Sequence, residues 1–400
     1  MQDTMTPSVM IVAGEVSGDL HGASLAAALR QLDPGVNIFG TGGVRMRQAG
    51  VDLISETTHL SSVGLIEAFR FLPTLSKLYT KLGKIIEERR PKAIVLIDNQ
   101  GFNLQLAKLA RKKSIPTLYY FAPQIWLWGS WKAKKIAHLI THVIATLKTE
   151  EAAYKQVGAK VSFVGHPFVD TVRATLPPEE ASRSLGLDPL KPVVGLLPGS
   201  RYQEVKNHLP ILMEVVKIML KQREEVQFVL PIADPVYREK IISQALGWPV
   251  TIIENKLDSP QPPFSSPPSL PVKIIGAKIY DALSICDLLI TSSGIATMEA
   301  TCLGIPMIII YRTSYLTYFL ARSLLKLPYV GMPNIIAQRQ ILPELLQREA
   351  NPEKISILAL DLLSNQHQRE KMREDLASVV GTLGQPGAVK RAAQIVHSYL

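Results

Sequence analysis

Several residues in this 400-residue chain sit where side chains do chemistry. Asp98 directly follows the apolar run Ala93–Ile97. A carboxylate at the C-terminal end of a buried strand is placed to take a proton as a general base. The position equally suits a helix cap from Asp98 or Asn99, and both readings stay open here. Pro198-Gly199-Ser200-Arg201 closes the run Val193–Leu197 and opens an amphipathic helix. Backbone N–H groups, a hydroxyl and a guanidinium converge there, an arrangement that suits a diphosphate. Ser292-Ser293-Gly294 joins the apolar run 287–291 to a helix read over 296–303. The start of that helix offers N–H donors and a positive dipole end to an anion. Glu299, on its first turns, is placed to accept hydrogen bonds from a ribose diol. The competing reading is an ordinary strand–helix–strand crossover with serine as the cap. The glycine-rich loop 14–22 lets a ligand approach the backbone, but it lacks the GxGxxG spacing of a dinucleotide site.

These positions need strands that end beside one another. Short apolar runs at 9–13, 36–40, 93–98, 117–121, 142–146 and 161–164 alternate with helical patterns. The alternation restarts at 193–197 and continues through 227–231, 250–253, 272–275, 287–291 and 307–311. This predicts an α/β protein with two doubly wound parallel sheets, whose ligands meet the loops after the strand C-termini. The expected division is residues 1–176, residues 177–365 and a helical tail, residues 366–400, packed back on the first domain or on a partner subunit. Leu176-Pro177-Pro178 marks the boundary. Residues 259–271, with six prolines, read as a loop, and residues 335–400 as nearly all helical.

Composition narrows the function classes. Apolar residues make up 47% and charged residues 20%, enough to fill two cores. No apolar run reaches the ~18–20 residues of a membrane span, and no signal peptide is read at the N-terminus. The two cysteines lie in apolar surroundings, which fits a reducing compartment. The net charge of +10 favours anionic partners, yet no nucleic-acid-binding motif accompanies it, so a membrane surface or a phosphorylated small substrate is expected rather than nucleic acid, with a merely soluble basic surface as the alternative. Residues 119–131 hold three of the four tryptophans, with Lys132–Lys135 close behind. Trp126 and Trp128 suit a membrane interface or an acyl-binding groove; a structural aromatic cluster is the alternative. Residues 64–90 carry Leu65, Phe69, Leu72, Leu75, Leu78 and Leu82 at helical spacing beside Arg70, Lys77, Lys81 and Lys84, so the segment either packs on the core or lies on lipid. Residues 315–330, with Leu316, Phe319 and Leu320 on one face, are a second candidate for membrane contact.

Seven blocks occur in order: AGEVSGDLHG at 13–22, IDNQGFN at 97–103, PQIWLW at 123–128, GHPFVD at 165–170, LLPGSR at 196–201, SGIATMEA at 293–300 and MPNIIAQR at 332–339. Together the chain resembles the lipid-A-disaccharide synthases, glycosyltransferases of the GT-B fold with two sheet domains facing across a cleft. The resemblance implies transfer of 2,3-diacylglucosamine from its UDP ester to 2,3-diacylglucosamine 1-phosphate, with inversion, giving a β-1,6 disaccharide and UDP. It implies Asp98 as the base and Glu15 beside it, with Ser17 and Gly18 on the acceptor side. Gly199, Ser200, Arg201, Gly276, Ser293, Gly294 and Glu299 would bind the donor, and Asn334 would complete the site. Trp126, Trp128 and Phe319 would face lipid. No metal and no cofactor are expected. The protein would be a homodimer with exchanged C-terminal elements, cytoplasmic and peripheral on the anionic inner face of the inner membrane. Gly101 stands where the family has a second Asp, and Ile295 where it has Thr. The rival readings are a UDP-sugar 2-epimerase, another lipid glycosyltransferase of this fold, and a non-catalytic UDP- and lipid-binding relative.

Overall fold

A computed structural model describes residues 7–58, 65–125, 130–232, 250–253, 270–314 and 328–400. The chain forms two compact units. It leaves the first at Asp170, runs through the second from Thr171 to Gly381, and rejoins the first at Thr382–Leu400.

The first unit holds β1 (Ser8–Ala13), β2 (Asn37–Gly42), β3 (Asp52–Glu56), β4 (Ala93–Ile97), β5 (Thr117–Tyr120), β6 (His142–Ala145) and β7 (Val161–Phe163). All pair in parallel, in the order β3-β2-β1-β4-β5-β6-β7. Alternate residues of each strand face opposite sides, and both sides are covered. Val9, Ile11 and Ala13 pack with Leu25 and Leu29 on one face, where Ala392, Ala393 and Val396 of the helix Ala388–His397 join them. Met10, Val12, Ile94 and Leu96 pack on the other with Leu78, Leu82, Ile86 and Leu106. Leu78, Leu82 and Ile86 lie on the helix Leu65–Arg89, whose Lys77, Lys81 and Lys84 are exposed. The described part of that helix therefore packs on the core. The returning helix is pinned by Arg391 Nε donating to Val164 O (2.9 Å) and Gly387 N–H donating to Asp170 Oδ1 (2.5 Å).

The second unit holds β8 (Val193–Leu197), β9 (Gln227–Pro231), β10 (Val250–Ile253), β11 (Leu270–Ile275), β12 (Leu288–Ser292), β13 (Met307–Tyr311) and β14 (Glu344–Leu346). The order is β10-β11-β9-β8-β12-β13-β14, again all parallel.

Three expectations need correction. β3 and β14 were not expected as strands. Each is an edge strand with little buried surface, so neither carries the apolar run that marks a central strand. Residues 335–400 thus include a strand. Leu270 and Pro271 belong to β11 rather than to the proline-rich loop, whose residues 259–269 lie outside the described residues. Of the lipid-contacting segment proposed at 315–330, residues 315–327 lie outside them as well.

Candidate functional site

In the first unit the strand order reverses its direction of growth between β1 and β4, so the loops after these two strands lie side by side. The loop after β1 runs through Gly14 and Glu15 into the helix Val16–Leu32; Glu15 is its extended N-cap and accepts the Asp19 N–H at 2.9 Å. Ser17, in the first turn, donates its hydroxyl to Asp98 Oδ2 at 2.9 Å. The loop after β4 is built on two consecutive left-handed residues, Asp98 (φ 51°) and Asn99 (φ 35°). That backbone is costly for residues with a Cβ and persists only when its surroundings hold it. Buried Asn103 does so by donating to Ile97 O (3.0 Å) and Asp98 O (2.8 Å), while buried Tyr119 donates its hydroxyl to Asp98 O (2.7 Å). Burial first, then the Asp98 charge, pushes the Tyr119 phenol well up, so it remains a donor. Asn99, the N-cap of the helix Gln100–Lys112, makes no side-chain cap bond to it. The Asp98 carboxylate reaches the loop after β1 through its bond from Ser17. An apolar pocket lined by Val12, Ala13, Leu75, Leu78 and Phe102 opens beside Asn99.

Gly18, expected on the acceptor side, is buried, and a Cβ there would come within 3.1 Å of Ala13 Cβ. It is a packing glycine that lets the helix approach β1. Asp19 accepts from the N–H groups of Gly43, Arg45 and Met46, at 2.6, 3.1 and 3.0 Å, and so holds the start of the helix Val44–Gln48. His21 stacks on Phe121 with ring centroids 3.8 Å apart, and His166 meets the same ring edge-on. Burial first, then His166 and Arg45, holds the His21 imidazole well below its usual range; burial brings His166 down to about 4. Trp126, Trp128 and Phe319 lie outside the described residues.

In the second unit the same reversal falls between β8 and β12, and it brings Pro198-Gly199-Ser200-Arg201 beside Ser293-Gly294. Gly199 has φ +124°, and a Cβ there would collide with the Glu204 side chain at 2.6 Å. Glu204, buried at the start of the helix Tyr202–Gln222, accepts from the N–H groups of Ser200 (3.1 Å) and Arg201 (3.3 Å) and from Arg201 Nη1 (3.3 Å). This corrects the expectation that those two N–H groups point at a ligand: a carboxylate of the chain already occupies them. The Arg201 side chain is 42% exposed. One turn on, fully buried His208 bonds Pro198 O through Nδ1 (2.7 Å) and accepts the Arg312 N–H through Nε2 (2.9 Å). The carbonyl can only accept and the amide can only donate, so the ring is the neutral Nδ1–H tautomer.

Ser293 donates its hydroxyl to Val330 O (2.7 Å). Gly294 is the N-cap of the helix Ile295–Cys302, and Ile295 is 40% exposed beside it. Glu299 accepts from the Tyr280 hydroxyl at 2.8 Å, and exposed Gly276 follows the end of β11. Asn334 was expected to complete the site, but it is fully buried and turned inward. Its amide donates to Leu342 O (2.9 Å) and Glu344 Oε1 (2.7 Å), and its carbonyl accepts from Ile341 N (2.8 Å) and Leu342 N (2.9 Å). Glu344 also accepts from Val330 N (2.9 Å) and Gly331 N (3.0 Å), so Asn334 fastens the loop that supports Ser293.

Tyr119, Asn103, Glu204, His208, Tyr280 and Glu344 did not emerge from sequence reasoning. Glu204 had a legible signal, since a Glu at the third helical position is half of a capping box. The others act on partners brought close only by the fold.

The family model described as lipid-A-disaccharide synthetase matches residues 9–399. Over 390 residues the chain is 38% identical to the lipid-A-disaccharide synthase of Trichlorobacter lovleyi, covering 98% of this chain and 97% of that protein. It is 35% identical to the lipid-A-disaccharide synthase of Geobacter sulfurreducens, covering 99% and 98%. Among solved structures it is similar to the UDP-GlcNAc 2-epimerase of Neisseria meningitidis bound to UDP-GlcNAc (TM-score 0.63, 13% identity, 98% and 100% covered). It is also similar to a glycosyltransferase from Rickettsia africae (TM-score 0.54, 12% identity, 99% of each chain covered). At such identities the likeness is one of fold, the GT-B fold.

Proposed function

Because the chain belongs to the lipid-A-disaccharide synthetase family, we propose that the loop clusters at its two switch points divide the labour of one glycosyl transfer. The enzyme is a glycosyltransferase with a UDP-sugar donor. The reaction in its finer form moves 2,3-diacylglucosamine from its UDP ester to the 6-hydroxyl of 2,3-diacylglucosamine 1-phosphate. Inversion requires a base on the acceptor hydroxyl and charge stabilisation on the departing UDP.

Asp98 is the base. The observation that carries this reading is the Ser17 bond to Asp98 Oδ2: the strained 98–99 turn brings a carboxylate to the loop after β1. Ser17 and Glu15 line the acceptor side of that carboxylate. In the second unit Arg201 and the first turn of the helix Ile295–Cys302 take the diphosphate, Glu299 the ribose, and the backbone at Gly276 the uracil edge. Ser200, Ser293 and Gly199 shape that loop cluster. Trp126, Trp128 and Phe319 face lipid on the anionic cytoplasmic side of the inner membrane, and the protein works as a homodimer. No described helix is long and apolar enough to cross a membrane, which is compatible with peripheral contact.

The test is an assay of the purified protein with the two acylated glucosamines, following UDP and the disaccharide by mass spectrometry. Both products are expected in equal amounts. UDP without disaccharide, or neither product, would overturn the reading.

A further inference from the structure

Glu204 changes the electrostatics of the loop after β8. Its carboxylate fills the N–H groups of Ser200 and Arg201 and lies against the Arg201 guanidinium. A diphosphate arriving here meets a cation already partly neutralised by a fixed anion. Holding it calls for a second positive group on the same edge of the sheet.

The structure ties one to that loop. Arg312 immediately follows β13, and its side chain is exposed. Its peptide is gripped from both sides by neighbouring residues of the helix Tyr202–Gln222: Asn207 Nδ2 donates to Arg312 O (3.2 Å), and His208 Nε2 accepts the Arg312 N–H (2.9 Å). The opposite edge of the His208 ring holds Pro198 O, so one imidazole joins the loop after β8 to the residue after β13. β8, β12 and β13 are consecutive parallel neighbours. The loop after β8, which carries Arg201, and Arg312 after β13 therefore follow strands on either side of β12 and its Ser293-Gly294 turn, about 10 Å apart by the usual interstrand spacing.

We propose that Arg312 is a second diphosphate-binding cation of the donor site, and that Asn207 and His208 are the positioning residues that present it. This rests on the donor reading given above. A pair of cations flanking a helix N-terminus matches a diphosphate, whose charge is spread over two phosphoryl groups.

The experiment is calorimetric titration of the full chain with UDP, UMP and uridine. In Arg312→Gln the UDP dissociation constant should rise about tenfold or more, as expected for a lost charge-assisted hydrogen bond. Uridine affinity should hold, and the salt dependence of UDP binding should weaken. Arg312→Lys should recover part of the loss. His208→Asn keeps a donor towards Pro198 O but gives up the acceptor for the Arg312 N–H, so it should fall between wild type and Arg312→Gln. If that buried change prevents folding, Asn207→Ala on the half-buried flank reports the same link. UDP binding unchanged in Arg312→Gln overturns the inference, and so does an equal loss for uridine. A wild-type protein that binds no UDP sinks the donor reading itself, which separates the two failures.

Discussion

At Asp98 the sequence offered two readings, a base after a buried strand or a helix cap, and only the family resemblance favoured the base. The strain beneath it was not legible, since two consecutive left-handed residues depend on Asn103 and Tyr119, and Tyr119 comes from a neighbouring strand. If Asp98 is the base, Asp98→Asn should lower turnover by about 10²–10⁴-fold while UDP affinity holds. Steady-state rates alongside UDP titration check this, and a fully active variant would remove Asp98 from the role. Ser17→Ala deletes a bond that aims the carboxylate but leaves the carboxylate itself, so its loss of turnover should be the smaller of the two. Glu204 shows the reverse case. Its capping-box position was readable, yet the consequence, that Ser200 and Arg201 give their N–H groups to the chain itself, required coordinates.

At the level of elements, alternating apolar runs located every central strand. They failed at β3 and β14, because an edge strand that buries little surface carries no continuous apolar signal. The segment around Asn334 misled for a related reason. A polar residue in a Pro-Asn pair reads as a ligand contact until its partners, seven to ten positions away, are seen. Asn334→Ala should therefore act on stability rather than on affinity. It strips a buried side chain whose partners are two N–H groups, a carbonyl and a carboxylate. Each such group left unsatisfied costs about 1–3 kcal/mol. Denaturant unfolding should show a loss of at least that size, with UDP affinity of the folded variant near wild type. Unchanged stability with lost UDP affinity would return Asn334 to the site.

For the whole molecule, buried titratable groups set the response to acid. His21, His166 and His208 are all held neutral, chiefly by burial. A histidine whose folded pKa is depressed contributes its stability fully above the unfolded value of about 6.5 and loses it as pH falls towards the folded value. Glu150 works in the opposite direction. It is buried against Thr146 and Leu147, and burial pushes its carboxyl up to about 7 despite three hydrogen bonds. A raised carboxyl contributes its stability below the unfolded value of about 4.3 and loses it as pH rises through the folded value. Between about pH 4.3 and 6.5 the two tendencies offset each other. Glu150→Gln removes one of them. Relative to wild type, its stability should climb as pH rises from about 4.5 to 7 and level off above. Its own unfolding free energy should fall more steeply in acid. Unfolding curves across that range check both, and a difference independent of pH would show that Glu150 is not held protonated. None of this was visible in composition, which counts histidines without saying which are enclosed.

The helix Ala388–His397 has a consequence in time. It covers Leu25 and Leu29 beside β1, yet the ribosome makes it only after the entire second unit has emerged. At roughly 5–20 residues per second, the earlier part of the first unit waits tens of seconds for its last layer while the second unit is made. The first unit can thus be completed only after the second has been made, and a fragment ending at Asp170 lacks one layer of its core.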